Sequence, residues 1–125
     1  IPRGKAGSYI KVYLEKIPGV TRYLDELVEL AAQRGYAETI FGRRRRIPEL
    51  ARKGAQRGYG ERIARNTPIQ GSAADIMKRA MIAVDAALQD KPWAQMLLTV
   101  HDELIFECDE AKVAELVAIA RPLME

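Results

Sequence analysis

The sequence predicts an α+β fold: two helices, a short basic hairpin, two further helices separated at Thr67-Pro68, a second hairpin and a closing helix. Three observations predict it. Apolar residues recur at three- and four-residue spacing through residues 5–31 and again through 73–88. The stretch from Tyr36 to Phe41 is rich in aromatic and β-branched residues and ends at Gly42. Near the end, two apolar runs flank the polar triplet His101-Asp102-Glu103. A length of 125 residues fits one compact domain, and no internal repeat or low-complexity linker interrupts it.

The elements follow in order. Tyr9, Ile10, Tyr13, Leu14 and Ile17 mark a first helix over residues 5–17, ended by Pro18-Gly19. Val20, Tyr23, Leu24, Leu27, Val28 and Ala31 repeat the pattern, and Gly35 is placed to cap that helix. Residues 36–48 read as a β-hairpin with an arginine-rich return arm. Residues 49–65 look helical and basic, weakened by Gly54, Gly58 and Gly60. Thr67-Pro68 predicts a break, because proline disfavours a helical residue before it yet sits easily in a first turn. From there to Leu88 the residues Ala73, Ile76, Met77, Ala80, Met81, Val84 and Leu88 make one stripe, read as core rather than as a cofactor box. Residues 96–100 and 104–108 read as a buried hairpin with residues 101–103 at its turn, and a helix closes the chain over about 110–124.

Composition narrows the function classes. Hydrophobic residues make up 48% and charged residues 30%, a globular mixture. No apolar run approaches the roughly 18 residues that span a bilayer, and no charged-then-apolar leader opens the chain. A single cysteine, Cys108, and a single histidine, His101, exclude an internal disulfide and a Cys/His zinc site. The expectation is a soluble, cytoplasmic protein without membrane contact. The net charge of +3 conceals an asymmetry: residues 34–65 hold ten basic and three acidic side chains, net +7, while residues 66–125 are net −5. Such a block attracts polyanions, although a solvated loop or a localisation signal fits the same run.

Two groups of residues could carry chemistry. Asp102 and Glu103 lie in a turn between apolar strands, and neighbouring carboxylates suit Mg²⁺, which takes one or two of them together with substrate phosphates and water. An ordinary polar turn fits them as well. Arg62, Asn66 and Gln70 stand four residues apart and would share one face of a continuous helix, with Pro68 against that continuity. Arginine suits phosphate, and the two amides suit base edges. Asn66 as a cap for the following helix is the plainer reading.

The string Glu61-Arg62-Ile63-Ala64-Arg65-Asn66-Thr67-Pro68-Ile69-Gln70-Gly71-Ser72-Ala73-Ala74-Asp75-Ile76-Met77-Lys78, followed by Leu97-Leu98-Thr99-Val100-His101-Asp102-Glu103-Leu104, closely resembles family A DNA polymerases of the bacterial polymerase I type. Pro18-Gly19-Val20 and residues 35–45 resemble the same family at the expected separations. The resemblance implies a helical fingers and palm segment with a palm hairpin carrying the catalytic acidic turn. It implies fingers-side helices and basic hairpin over about residues 1–66, and palm helix, motif C hairpin and following helix over about 67–125. Val100-His101-Asp102-Glu103 matches motif C. There Asp102 would be a ligand of two catalytic Mg²⁺ ions, Glu103 an acidic neighbour, and His101 a residue beside the primer terminus. Arg62, Asn66 and Gln70 match positions that touch primer and template, with Asn66 and Gln70 facing the minor groove. The arginines from Arg43 to Arg46 would have phosphate or structural roles.

The same resemblance implies primer–template DNA and deoxynucleoside triphosphates as partners of a monomeric enzyme of replication and repair, nucleoid-associated if bacterial. Motif A, motif B and the last strand of the family lie outside these residues. The expectation is therefore an internal piece of a larger polymerase, inactive alone and with an exposed strand edge. Two other readings compete. A stand-alone basic nucleic-acid-binding module would keep Arg62, Asn66 and Gln70 but have no use for Asp102. A single-subunit RNA polymerase relative shares the histidine and aspartate, but Glu103-Leu104 and Thr67-Pro68-Ile69-Gln70-Gly71 fit the DNA enzymes better.

Overall fold

The computed structural model describes residues 2–125. Helices α1 (Arg3–Lys16) and α2 (Pro18–Arg34) lead to strands β1 (Tyr36–Glu38) and β2 (Arg44–Arg46). A short 3₁₀ turn (Pro48–Ala51) precedes α3 (Ala55–Leu88); strands β3 (Ala94–Val100) and β4 (Glu103–Cys108) and helix α4 (Val113–Met124) complete the order. The mixture of helices with two small antiparallel sheets is the α+β class the sequence predicts. By its contacts the chain divides into two compact units, one ending at Ser72 and the other running from Ala73 to Glu125.

The first unit is organised around the end of α2. Gly35 terminates that helix with φ 77°, a left-handed conformation that glycine adopts without a Cβ penalty, and its N–H donates to the carbonyl of Ala31 at 2.8 Å. The chain then turns into β1, which pairs antiparallel with β2 in the register Tyr36–Arg46, Ala37–Arg45 and Glu38–Arg44. Gly42, at φ 83°, makes the reversal possible. Val28, Ala31, Ala37, Ile47, Leu50, Ile63 and Ala64 form the core, with Ile47 only 1% exposed. Gly60 lets α3 approach the 3₁₀ turn closely: a Cβ there would meet the Leu50 nitrogen at 3.0 Å. α1 is less well covered than its apolar spacing predicts. Leu14 is half-buried, while Tyr9, Ile10 and Tyr13 lie exposed, because α2 covers only one edge of that stripe.

α3 corrects one expectation outright. It runs uninterrupted from Ala55 to Leu88 with Pro68 inside it, so no helix begins at Thr67-Pro68 and Asn66 caps nothing. A proline inside a helix has no N–H to give the carbonyl four residues back, which costs about 3 kcal/mol or more unless other contacts compensate. Here the turn of the first hairpin lies against this stretch. The Ile40 N–H donates to Ser72 Oγ at 3.0 Å, and the Ser72 hydroxyl in turn donates to the carbonyl of Pro68.

The second unit packs the end of α3 against α4 through Val84, Leu88, Leu116 and Ala120, with Trp93, Phe106, Cys108 and Ile119 alongside. Ala73 and Ile76, counted into the predicted core stripe, lie exposed. Strands β3 and β4 form the predicted hairpin, but its burial differs. Alternation places Met96, Leu98 and Val100 on one face. A bulge at Leu97 shifts that register, so Met96 pairs with Phe106 while Leu98 pairs with Ile105 and Val100 with Glu103. Because β4 alternates strictly, Phe106 faces the core and Ile105 faces away, and the bulge moves Leu98 and Val100 to the outer face. Leu97 and Leu98 are each 50% exposed and Val100 and Ile105 each 40%. The hairpin is therefore half-covered rather than buried.

Candidate functional site

Arg62, Asn66 and Gln70 all lie exposed on α3, while Ile63, Ala64 and Thr67 between them in sequence are buried. At about 100° per residue each step of four advances the face by about 40°, so the three side chains fall within about 80° of one another. Helix continuity through Pro68 is what brings them onto one face. Arg62 is further ordered by Tyr59 one turn earlier, whose ring centroid lies 5.7 Å from the guanidinium carbon.

The basic block is less free than its formal charge. Arg44 bonds Glu38 at 2.8 Å and stacks over Tyr36 at 4.7 Å. Its pKa is raised above the ordinary arginine value, chiefly by the Glu38 hydrogen bond and then by the charges of Tyr36 and Glu38. Arg57 pairs with Glu61 at 3.1 Å and donates to the Leu50 carbonyl, and Arg65 reaches Asp25 at 3.2 Å. Arg43 donates from Nη2 to the carbonyl of Gly71 at 3.0 Å. Arg45, Arg46, Arg52 and Lys53 stand exposed, leaving a cationic surface of smaller extent than the sequence count.

In the second unit, His101 and Asp102 form the two-residue turn between β3 and β4, and Glu103 is already the first residue of β4, opposite Val100. All three are exposed. His101 has φ 55°, a conformation that costs a β-carbon-bearing residue about 1–2 kcal/mol. A tight hairpin needs such a residue, and glycine or asparagine would supply it more cheaply. Among the described residues no three His, Cys, Asp or Glu side chains converge as a metal cluster. Two exposed carboxylates fit a hard divalent cation as part of an oxygen shell, with the remaining oxygens coming from elsewhere.

The sequence matches the profile of DNA polymerase family A over residues 1–125. The chain belongs to that family. It is similar to DNA polymerase I of Bacillus subtilis strain 168, at 47% identity over 127 residues, and to DNA polymerase I of Bacillus caldotenax, at 43% over 127 residues. Each alignment covers all of this chain and 14% of the relative, so the chain spans about a seventh of their length. Among solved structures it is similar to the POL domain of Pol1 from M. smegmatis in complex with DNA primer–template and dNTP. That likeness has a TM-score of 0.89 and 44% identity, and it covers 99% of this chain and 22% of the other.

Two features of this family A segment escape a reading of sequence alone. Tyr59 beneath Arg62 is signalled only by its three-residue spacing. The turn of the first hairpin, with Thr39, Arg43, Gly71 and Ser72 meeting beside Gln70, joins residues about thirty positions apart and leaves no local pattern. No helix among the described residues is long and apolar enough to cross a membrane.

Proposed function

We propose that this chain is part of a DNA-directed DNA polymerase that adds deoxynucleotides to a primer 3′-hydroxyl by phosphoryl transfer, in replication and repair. The observation that carries the reading is the match, over nearly the whole chain, to a polymerase domain solved with primer–template and nucleotide. The exposed polar face of α3 supports it. Arg62 would take a backbone phosphate, while Asn66 and Gln70 would meet the minor-groove acceptors that all correct base pairs share. Such contacts test pair shape without reading sequence, which is what a copying enzyme requires.

The turn supports it chemically. Asp102, with Glu103 beside it, offers anionic oxygens in a hard-donor arrangement suited to Mg²⁺, and His101 would lie beside the primer terminus. Asp102, with Glu103 beside it, would help to hold two divalent ions, whose charge would lower the pKa of the attacking hydroxyl and stabilise the leaving pyrophosphate. The protein's own share is placement: the hairpin fixes the carboxylates, and α3 presents the groups that hold the primer end. We infer that the 125 residues alone do not polymerise, since one turn supplies only part of the oxygen shell.

Asp102→Asn in the full-length protein that carries this segment keeps the side chain's size and removes its charge. We expect primer extension to fall by at least about a hundredfold with primer–template binding retained. Extension at the wild-type rate would overturn the catalytic assignment of Asp102.

A further inference from the structure

Gln70 stands two residues after a proline inside a helix, the place where a helix is least able to hold direction unaided. Three contacts from one short turn converge there. Thr39 is buried and accepts the Arg43 N–H at its hydroxyl, 3.2 Å away. Its methyl group lies so close to Gly71 that a Cβ on that glycine would stand 2.8 Å from it. Arg43 Nη2 donates to the Gly71 carbonyl at 3.0 Å. The Ile40 N–H donates to Ser72 Oγ, whose own proton goes to the Pro68 carbonyl. The turn thus holds α3 directly at Gly71 and Ser72, just after Gln70, and the Ser72 hydroxyl carries that hold back to the Pro68 carbonyl, just before it. The turn itself is tied by Thr39 N–H to Arg43 carbonyl at 3.0 Å and Gly42 N–H to Thr39 carbonyl at 2.9 Å, so it is a rigid partner.

We propose that Arg43 is a positioning residue: together with Thr39 and Ser72 it splints α3 across Pro68 and fixes the direction of Gln70. The inference rests on the reading above, in which Gln70 meets the terminal base pair. It separates Arg43 from its neighbours in the arginine run, whose guanidinium groups reach no α3 carbonyl. A splint acts on rate through placement, and a misplacement of about 1 Å at a reacting pair costs as much as a hundredfold.

The test is a double-mutant cycle in the full-length polymerase carrying this segment, with Arg43→Ala, Gln70→Ala, both together, and Arg43→Lys. Single-turnover extension from a matched primer is measured beside backbone amide exchange over residues 69–75. We expect Arg43→Ala to slow extension about tenfold with primer–template affinity little changed. The double variant should extend at the Gln70→Ala rate within about twofold, because the effect of Arg43 runs through Gln70. Arg43→Lys, which keeps one donor for the Gly71 carbonyl, should regain most of the rate. Amide protection should drop in Arg43→Ala. Unchanged protection overturns the splint whether or not the protein polymerises. Full multiplication of the two rate effects, or a slow Arg43→Ala beside a neutral Gln70→Ala, overturns the route through Gln70. An inactive wild type overturns the functional reading instead, with the exchange result still deciding the splint. If Arg43→Ala loses its helical circular dichroism, Ser72→Ala takes its place in the cycle, with the same outcomes.

Discussion

The described residues contain two antiparallel hairpins that differ in how they are held. The first, β1–β2, has three residues per strand and is tied to a helix by hydrogen bonds and one close glycine contact. The second, β3–β4, is twice as long, rests on a core through Phe106 and Cys108, and leaves Leu98, Val100 and Ile105 on an open face. The short hairpin carries charge and the long one carries the acidic turn. A polar clamp is directional and fixes a position over a few residues. Apolar burial is non-directional and supports a longer platform. The difference teaches that the first hairpin acts as a brace for α3 and the second as a mount for its own tip.

The sharpest test of that contrast is core deletion in each unit. Ile47→Ala, directly after β2, and Leu116→Ala, under the second hairpin, should each destabilise by about 2–5 kcal/mol. If the hairpins depend on their cores differently, only Leu116→Ala should loosen amide exchange across the paired hairpin at Met96 and Phe106. Chemical denaturation and exchange on both variants check it. Equal loosening of both hairpins by either substitution would break the contrast.

Much of this was legible beforehand. Both hairpins, the glycine cap at Gly35, the turn at Gly42 and the acidic tip follow from local residue chemistry, which sequence displays directly. The site residues were legible only as motifs, and their common face depended on α3 passing through Pro68. That continuity was hidden because the contacts that hold the helix beside the proline come from residues 39–43, far away in the chain. The exposure of Leu98 and Val100 was hidden for a different reason. A bulge adds one residue to one strand and reverses the facing of everything after it, and nothing in an apolar run such as Met96-Leu97-Leu98 marks which residue is extra.

A smaller effect probes the brace from its turn. Gly42 has φ 83°, so Gly42→Ala should cost about 1–2 kcal/mol, seen as a lower denaturation midpoint. A Cβ there would meet nothing within 4 Å, so the cost is conformational and not steric. Because Gly42 lies between Thr39 and Arg43, the loss should appear in amide exchange on α3 near Gly71 as well as in the hairpin. A midpoint unchanged from wild type would mean that the turn tolerates strain and braces nothing.

The smallest effect on stability belongs to the open face of the second hairpin. Leu98 and Ile105 are directly opposed across the strands and about half solvated, so replacing both by threonine removes only part of a side chain's burial at each. Threonine is β-branched, favours a strand, and pairs across strands through its hydroxyl. Leu98→Thr with Ile105→Thr should therefore shift the 125-residue chain by no more than about 0.5 kcal/mol. The same change shrinks the apolar surface beside a two-stranded edge, the combination that templates association between chains. We expect light scattering at raised concentration to fall while the denaturation midpoint holds. A large loss of stability would show instead that this face is already packed, and that the long hairpin, like the short one, depends on contacts on both of its sides.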